Sequence, residues 1–240
     1  MADKIKPLAP KERIIVALDL SDISAARVLA HSLRGAVGVY KIGYQLVCSG
    51  GLSLVRELAD AGEKVFLDLK LLDIPNTVAE GTAAAARLGA SFLTVHAYPQ
   101  ALAAAVDGRG SSALKILGVT VLTSMDDADL RAAGYKSGAQ ELVRMRAKAA
   151  VAAGADGVIA SPQEANAVRD TVGGAPIIIT PGIRPAGTEA GDQKRIATPA
   201  EALRAGADYL VIGRPITGAA NPRQAADAIV AEVAQAIEMR

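Results

Sequence analysis

Eight short β-rich runs alternating with amphipathic helical patterns, a core of branched aliphatics almost free of aromatic rings, and no linker along 240 residues predict a single-domain α/β fold, a (β/α)8 barrel of the TIM type. Hydrophobic residues make up 51% of the chain and aromatics only 3%, with no Trp. That balance suits parallel strands covered by closely packed helices. A doubly wound open sheet is the alternative, but no Gly-x-Gly-x-x-Gly follows the first run. The domain is expected to fill residues 1–240, with residues 1–12 as an N-terminal extension.

The first run, residues 13–19, is apolar between Arg13 and Asp19, and apolar residues at helical spacing follow over 23–33. The second, 37–43, carries Lys41 near its end and precedes a helical pattern over 52–61. The third, 64–70, holds two charges: period-two alternation sends Val65, Leu67 and Leu69 to one side and Phe66, Asp68 and Lys70 to the other. A helical pattern over 78–88 leads to the fourth run, 91–96, which closes on His96, a residue expected to be a hydrogen-bonded wall group. The fifth run, 114–123, ends in Thr123 and is followed by Ser124. A helix over 140–153 precedes the sixth, 157–160, where Ser161-Pro162-Gln163-Glu164 has the pattern of a capping box with proline at the first helical position. The seventh and eighth, 176–180 and 208–213, precede the last helical pattern, 222–237. One junction recurs as Ala61-Gly62-Glu63, Gly89-Ala90-Ser91, Gly154-Ala155-Asp156 and Gly206-Ala207-Asp208, each a helix closed by glycine before the next strand. Met125 and Met145 are expected in the core, and His31 at a surface or boundary.

Charge and cysteine usage narrow the function classes. A net charge of +1 with interspersed signs gives no basic stripe, which argues against nucleic acid as a partner. Cys48 stands alone and forms no internal disulfide, the polar start Met1-Ala2-Asp3-Lys4-Ile5-Lys6 lacks a secretory core, and no apolar run approaches the roughly 20 residues that span a bilayer. A cytoplasmic protein without membrane contact is expected.

In such a barrel the chemistry belongs at the C-terminal ends of the strands. Asp19, Lys41, Asp68 and Lys70 end the first three strands and Asp73 follows in the loop. Neighbouring strands lie about 4.8 Å apart, so the five charges are expected to form one array of alternating sign at the barrel mouth. A lone Asp-x-Lys pair has a bland reading, mutual neutralisation at a strand end; five such groups on three consecutive strands do not. Across the mouth, the seventh strand runs into Pro181-Gly182-Ile183-Arg184 and the eighth into Gly213-Arg214-Pro215. Glycine admits backbone N–H groups and arginine supplies a bidentate cation, so this side is expected to hold a substrate phosphate. Residues 185–195, polar and including Gly187, Gly191 and Gln193, read as a lid over that phosphate.

The run Asp68-x-Lys70-x-x-Asp73-Ile74-Pro75-Asn76-Thr77, with Pro181-Gly182-Ile183-Arg184 and Ile212-Gly213-Arg214-Pro215-Ile216, resembles the orotidine 5′-phosphate decarboxylase family from about Ile14 to the final helix. The resemblance implies decarboxylation of orotidine 5′-phosphate to UMP, with no metal and no organic cofactor. It makes Lys70 the proton donor flanked by Asp68 and Asp73, and gives Asp19 and Lys41 to the ribose and the charge network. Thr123 and Ser124 would contact the nucleotide, with Ser124 at the pyrimidine; Arg184, Gln193, Gly213 and Arg214 would serve the lid and the phosphate. It further implies a homodimer in which Asp73 and Thr77 reach the neighbour's site. One stretch departs from the family pattern: His96-Ala97-Tyr98-Pro99-Gln100 stands where many relatives have a glycine-rich turn. Two other readings stay open. A metal-dependent sugar-phosphate decarboxylase or aldolase-like enzyme shares the Asp-x-Lys-x-x-Asp pattern, but commonly has Glu as a Mg²⁺ ligand where Lys41 stands. A nucleotide-binding module without catalysis would not need Lys70 among carboxylates.

Overall fold

A computed structural model describes residues 8–185 and 196–239. Eight parallel strands close into a barrel in sequence order: β1 (Ile14–Ala17), β2 (Val39–Gly43), β3 (Lys64–Leu71), β4 (Phe92–His96), β5 (Lys115–Val119), β6 (Gly157–Ile159), β7 (Ile177–Thr180) and β8 (Tyr209–Ile212). β1 pairs with both β2 and β8, which removes every sheet edge. The helices are α1 (Ile23–Ser32), α2 (Tyr44–Cys48), α3 (Leu52–Asp60), α4 (Pro75–Arg87), α5 (Pro99–Arg109), α6 (Asp127–Ala132), α7 (Ala139–Ala152), α8 (Ala165–Val172), α9 (Pro199–Arg204), α10 (Arg214–Thr217) and α11 (Pro222–Glu238). Eight helical patterns were expected; the surplus arises because the connections after β2, β5 and β8 each hold a short helix before the long one.

Alternation along the strands creates two cores. Odd-numbered side chains of β1 and β2 and even-numbered ones of β3 and β4 enter the barrel, where Ile15, Val39, Phe66, Phe92, Leu117, Ile179 and Tyr209 pack together. Phe66, Phe92 and Tyr209 meet edge to face, at centroid distances of 6.1 and 5.5 Å. The other face of each strand joins the larger core beneath the helices, including Ile14, Tyr40, Leu67, Leu93, Ile116 and Leu210. The scarcity of rings is legible here: aliphatics fill most of the sheet–helix layer, where Tyr40 is buried, and three of the seven rings plug the barrel.

The recurring glycine junction carries more than a helix stop. Gly154 and Gly206 sit at φ +83° and +102°, in the left-handed region that glycine enters at little cost. Two residues later, Asp156 accepts the Ile116 N–H at 2.9 Å and Asp208 the Ile178 N–H at 2.8 Å, while Ser91 accepts from Val65 N at 3.3 Å. Each side chain thus ties the start of one strand to its neighbour at the N-terminal end of the barrel.

Several boundaries differ from expectation. β5 stops at Val119, so Thr123 and Ser124 stand four and five residues beyond the strand; the chain leaves the sheet as Thr120 Oγ1 donates to Ile159 O at 2.7 Å and turns where Met125 N donates to Leu122 O. The Ser161–Glu164 segment is a turn before α8 rather than its first turn: Ser161 Oγ donates to the buried Glu164 carboxylate, and Ala165 opens the helix. Met125 packs against the core, whereas Met145 is 55% exposed, because α7 buries Leu142, Val143, Ala147 and Ala150 instead. No helix among the described residues is long and apolar enough to cross a membrane.

Candidate active site

Four of the five predicted charges meet at the C-terminal mouth. Lys41 Nζ donates to Asp19 Oδ1 at 3.0 Å and lies 3.6 Å from Asp68 Oδ2; Lys70 Nζ donates to Asp68 Oδ1 at 2.8 Å. The order Asp19, Lys41, Asp68, Lys70 is an alternating chain running across three strands. Lys41 is buried, Asp68 nearly so, and Asp19 exposed. Burial would raise the Asp68 pKa, but Lys41 and Lys70, with hydrogen bonds from Lys70 and Thr94, outweigh it and hold the carboxyl below the usual range. Asp68 is therefore ionised at neutral pH.

The backbone bends to make this arrangement. β3 and β4 are in register at Leu67 and Leu93, and next at Leu71 and Val95, so Asp68, Leu69 and Lys70 together face the single residue Thr94. This is a bulge, a device that re-aims side chains at strand ends. Lys70 has φ +45°, and among the described residues no other non-glycine residue has positive φ. That conformation costs roughly 1 kcal/mol or more for an L-residue. Tyr44, at the start of α2, donates its hydroxyl to Leu69 O, and the Lys70 ammonium lies 5.9 Å from its ring centre.

Two adjoining cavities share Lys41, Pro181 and Val211. One, of about 450 Å³, is bordered by Asp19, Gly182, Arg184, Gly213 and Arg214. The other, of about 240 Å³, is bordered by Asp68, Lys70, Thr123 and Ser124, with apolar walls from Phe66, Val119 and Ile159. Three of the predicted phosphate residues, Arg184, Gly213 and Arg214, and the predicted base-side residues Thr123 and Ser124 thus border separate compartments, joined beside the charged chain. Gly213 opens the short helix α10. Arg184 N donates to Ala197 O at 2.9 Å, joining the two described flanks of the expected lid; Gln193, Gly187 and Gly191 lie outside the described residues.

Asp73 and Thr77 do not join the array. Both are exposed; the Asp73 carboxylate accepts the following Ile74 N–H at 2.6 Å and makes no ion pair among the described residues. Thr77 lies in the first turn of α4. His96 is half-buried at the end of β4; burial, then Arg146 and Lys70, push its pKa down against the pull of Asp68, leaving the ring neutral. In the divergent 96–100 stretch Tyr98 caps α5, and its hydroxyl meets that of Tyr135 at 2.7 Å beside the Arg146 guanidinium.

Sequence reasoning missed three contributors. Thr94 lay inside an apolar strand with nothing to mark it. Gly43 is a close-approach position: a Cβ there would stand 3.3 Å from Lys41 Nζ and 3.5 Å from Asp19 Oδ1. Gln45, on α2, lines the larger cavity. Only the glycine ending a strand two residues after a lysine offered a sequence signal.

Residues 12–229 match the model of the "Orotidine 5′-phosphate decarboxylase / HUMPS family". The chain is 59% identical over 228 residues to an orotidine 5′-phosphate decarboxylase of Rhodopseudomonas palustris (strain HaA2), covering 95% of this chain and 97% of that one. It is 58% identical over 230 residues to the protein of that name from Bradyrhizobium diazoefficiens, covering 96% and 97%. The crystal structure of orotidine 5′-phosphate decarboxylase from Lactobacillus acidophilus superposes with a TM-score of 0.81 at 39% identity, over 92% of this chain and 98% of that one.

Proposed function

The chain belongs to the orotidine 5′-phosphate decarboxylase / HUMPS family, and from that premise we propose a metal-free and cofactor-free mechanism in which Lys70 is the proton donor. The reaction is the decarboxylation of orotidine 5′-phosphate to UMP, the last step of de novo pyrimidine synthesis. Loss of CO₂ leaves an electron pair on C6 in an orbital orthogonal to the ring π system. No delocalisation assists, so stabilisation must be electrostatic and placed where the charge develops. The observation that carries the reading is the chain Asp19–Lys41–Asp68–Lys70, whose terminal ammonium is held 2.8 Å from a carboxylate at the wall of the smaller cavity.

Lys70 supplies a fixed cation beside C6 and then the proton that replaces CO₂. Asp68 stands against the departing carboxylate. Two like charges about 4 Å apart repel by roughly 4 kcal/mol at an effective dielectric near 20, and that repulsion vanishes when neutral CO₂ leaves. Enzymes lower barriers by about 8–23 kcal/mol, so most of the effect falls to Lys70 and to binding energy drawn from the remote phosphate. Arg184, Gly213 and Arg214 bind that phosphate in the larger cavity, with Gln193 and the 185–195 segment closing over it. Asp19 and Lys41 hold the ribose, and Thr123 and Ser124 the base. Two ammonium groups on Asp68 put positive charge where a divalent ion would have to sit, which favours metal independence over the sugar-phosphate reading. Following orotidylate loss spectrophotometrically with and without EDTA tests this: activity should persist. Loss restored by Mg²⁺ would transfer the protein to the metal-dependent branch.

The biosynthetic reaction supports a cytoplasmic location, and the exposed Asp73 and Thr77, beside the exposed apolar Leu72 (53%) and Ile74 (67%), support a homodimer in which these two residues complete the neighbour's site. Lys70→Ala and Asp73→Asn, each nearly inactive alone, should complement when mixed: a heterodimer gathers both lesions into one site and leaves the other intact. Random pairing makes half the dimers mixed, so about a quarter of the original activity should return. Confirmed subunit exchange without recovery would put Asp73 in its own subunit's site.

A further inference from the structure

Thr94 is the single β4 residue opposite the three bulged residues of β3, and its hydroxyl is used twice. Thr94 Oγ1 accepts the backbone N–H of Lys70 at 2.9 Å and donates its own hydrogen to Asp68 Oδ1 at 2.8 Å. The side chain is fully buried. Both ends of the Asp68–Lys70 pair therefore hang on one oxygen: the backbone of the lysine, held at φ +45°, and the carboxylate that its ammonium faces. We propose that Thr94 is a positioning residue of the active site, its hydroxyl fixing the strained Lys70 backbone and the Asp68 carboxylate in one geometry, so that the ammonium and the carboxylate are aimed before substrate arrives.

The physical case rests on what the bulge removes. With two extra residues on β3, the Lys70 N–H has lost its place in the regular strand ladder, and a buried N–H without a partner is costly. A carbonyl in that place would satisfy the N–H but has no hydrogen to give Asp68. A hydroxyl has one donor and two acceptor lone pairs, so it serves both groups. Valine has nearly the shape of threonine and keeps the packing while losing both bonds; serine keeps both bonds while losing the methyl group.

The inference rests on the decarboxylase reading for its kinetic arm, and a second arm is independent of activity. Thr94→Val should lower kcat by about 10- to 100-fold with KM for orotidine 5′-phosphate within about 3-fold, since one hydroxyl bonded to a charged group is lost and substrate binding is not. Thr94→Ser should recover kcat to within about 3-fold of the parent. In hydrogen–deuterium exchange read by NMR, the Lys70 amide should exchange at least about 10-fold faster in Thr94→Val than in the parent or Thr94→Ser, with exchange elsewhere on β4 unchanged. If Thr94→Val does not fold by circular dichroism, Thr94→Ala against Thr94→Ser gives the same contrast, because both lack the methyl and only serine keeps the hydroxyl. An unchanged kcat in Thr94→Val, a Thr94→Ser variant as impaired as valine, or a loss confined to KM would overturn the proposal. A parent protein that leaves orotidylate untouched would instead overturn the reaction assigned above, and the Lys70 exchange arm would then decide alone whether Thr94 holds the bulge.

Discussion

The two ends of the barrel use the same residue types for opposite purposes. At the N-terminal end, Asp156 accepts from the Ile116 N–H, Arg109 and Lys115, and Asp208 from the Ile178 N–H and Arg169. Each of these carboxylates is tied to the backbone of a neighbouring strand. At the C-terminal end, Asp68 accepts from Lys70 and Thr94 and faces Lys41, side chains only, at the wall of a cavity. A charge bonded to backbone amides is held by the fold and holds it in return. A charge bonded to other charges beside a cavity remains available to a substrate. Strain is distributed the same way: Lys70 carries the unfavourable φ at the open end, at the wall of the smaller cavity.

The sharpest way to break that contrast is Lys70→Ala. It removes cation and proton source together, so kcat should fall by about 10⁴-fold or more in the decarboxylation assay. Stability should respond in an unusual order: Lys70→Gly should melt above Lys70→Ala by the equivalent of about 1 kcal/mol, because glycine accepts φ +45° without strain. A lower melting temperature for the glycine variant would mean that the backbone there is not strained.

Next in size, Arg214→Ala should lower kcat/KM by about 10²- to 10³-fold, with partial rescue by free guanidinium, if the arginine makes a charge-assisted phosphate contact. Unaltered efficiency would remove Arg214 from the site.

Asp156→Ala tests the other end. It leaves the Ile116 N–H and Arg109 without their partner, at a cost of about 2–4 kcal/mol, which for a chain of this size is a melting-temperature drop of roughly 5–10 °C. Turnover per folded molecule should not change; a large loss of kcat would show that the two ends are coupled.

The smallest effect is in acid. The folded Asp68 pKa lies below its unfolded value near 3.8, so the stability it contributes is complete above that value and is lost as pH falls through the folded pKa. Between those two values the unfolded chain binds more protons than the folded one. Chemical denaturation of Asp68→Asn should therefore show a shallower loss of stability on acidification below about pH 4 than the parent; equal slopes would mean that Asp68 is not held ionised by its neighbours.

What the sequence determined by itself is what short-range periodicity encodes. The period-two alternation set Phe66, Asp68 and Lys70 on one side of β3, and the glycine junctions marked where helices return to the sheet. Strand count and order then assigned Lys41 to the mouth beside Asp68, and Arg214 to its far side. Tertiary structure alone decided what depends on register between strands distant in sequence. The shift between β3 and β4 that throws Lys70 to φ +45°, and the hydroxyl of Thr94 waiting 26 residues from Asp68, leave no trace in either segment read alone. The early end of β5, which leaves Thr123 and Ser124 in the loop, follows from where β6 stops pairing with it. Asp156 and Asp208 became strand clips only once barrel closure brought the N–H groups of Ile116 and Ile178 beside them. Periodicity is a property of neighbours along the chain; a hydrogen bond between strands exists only after the barrel has fixed both partners within 3 Å of each other.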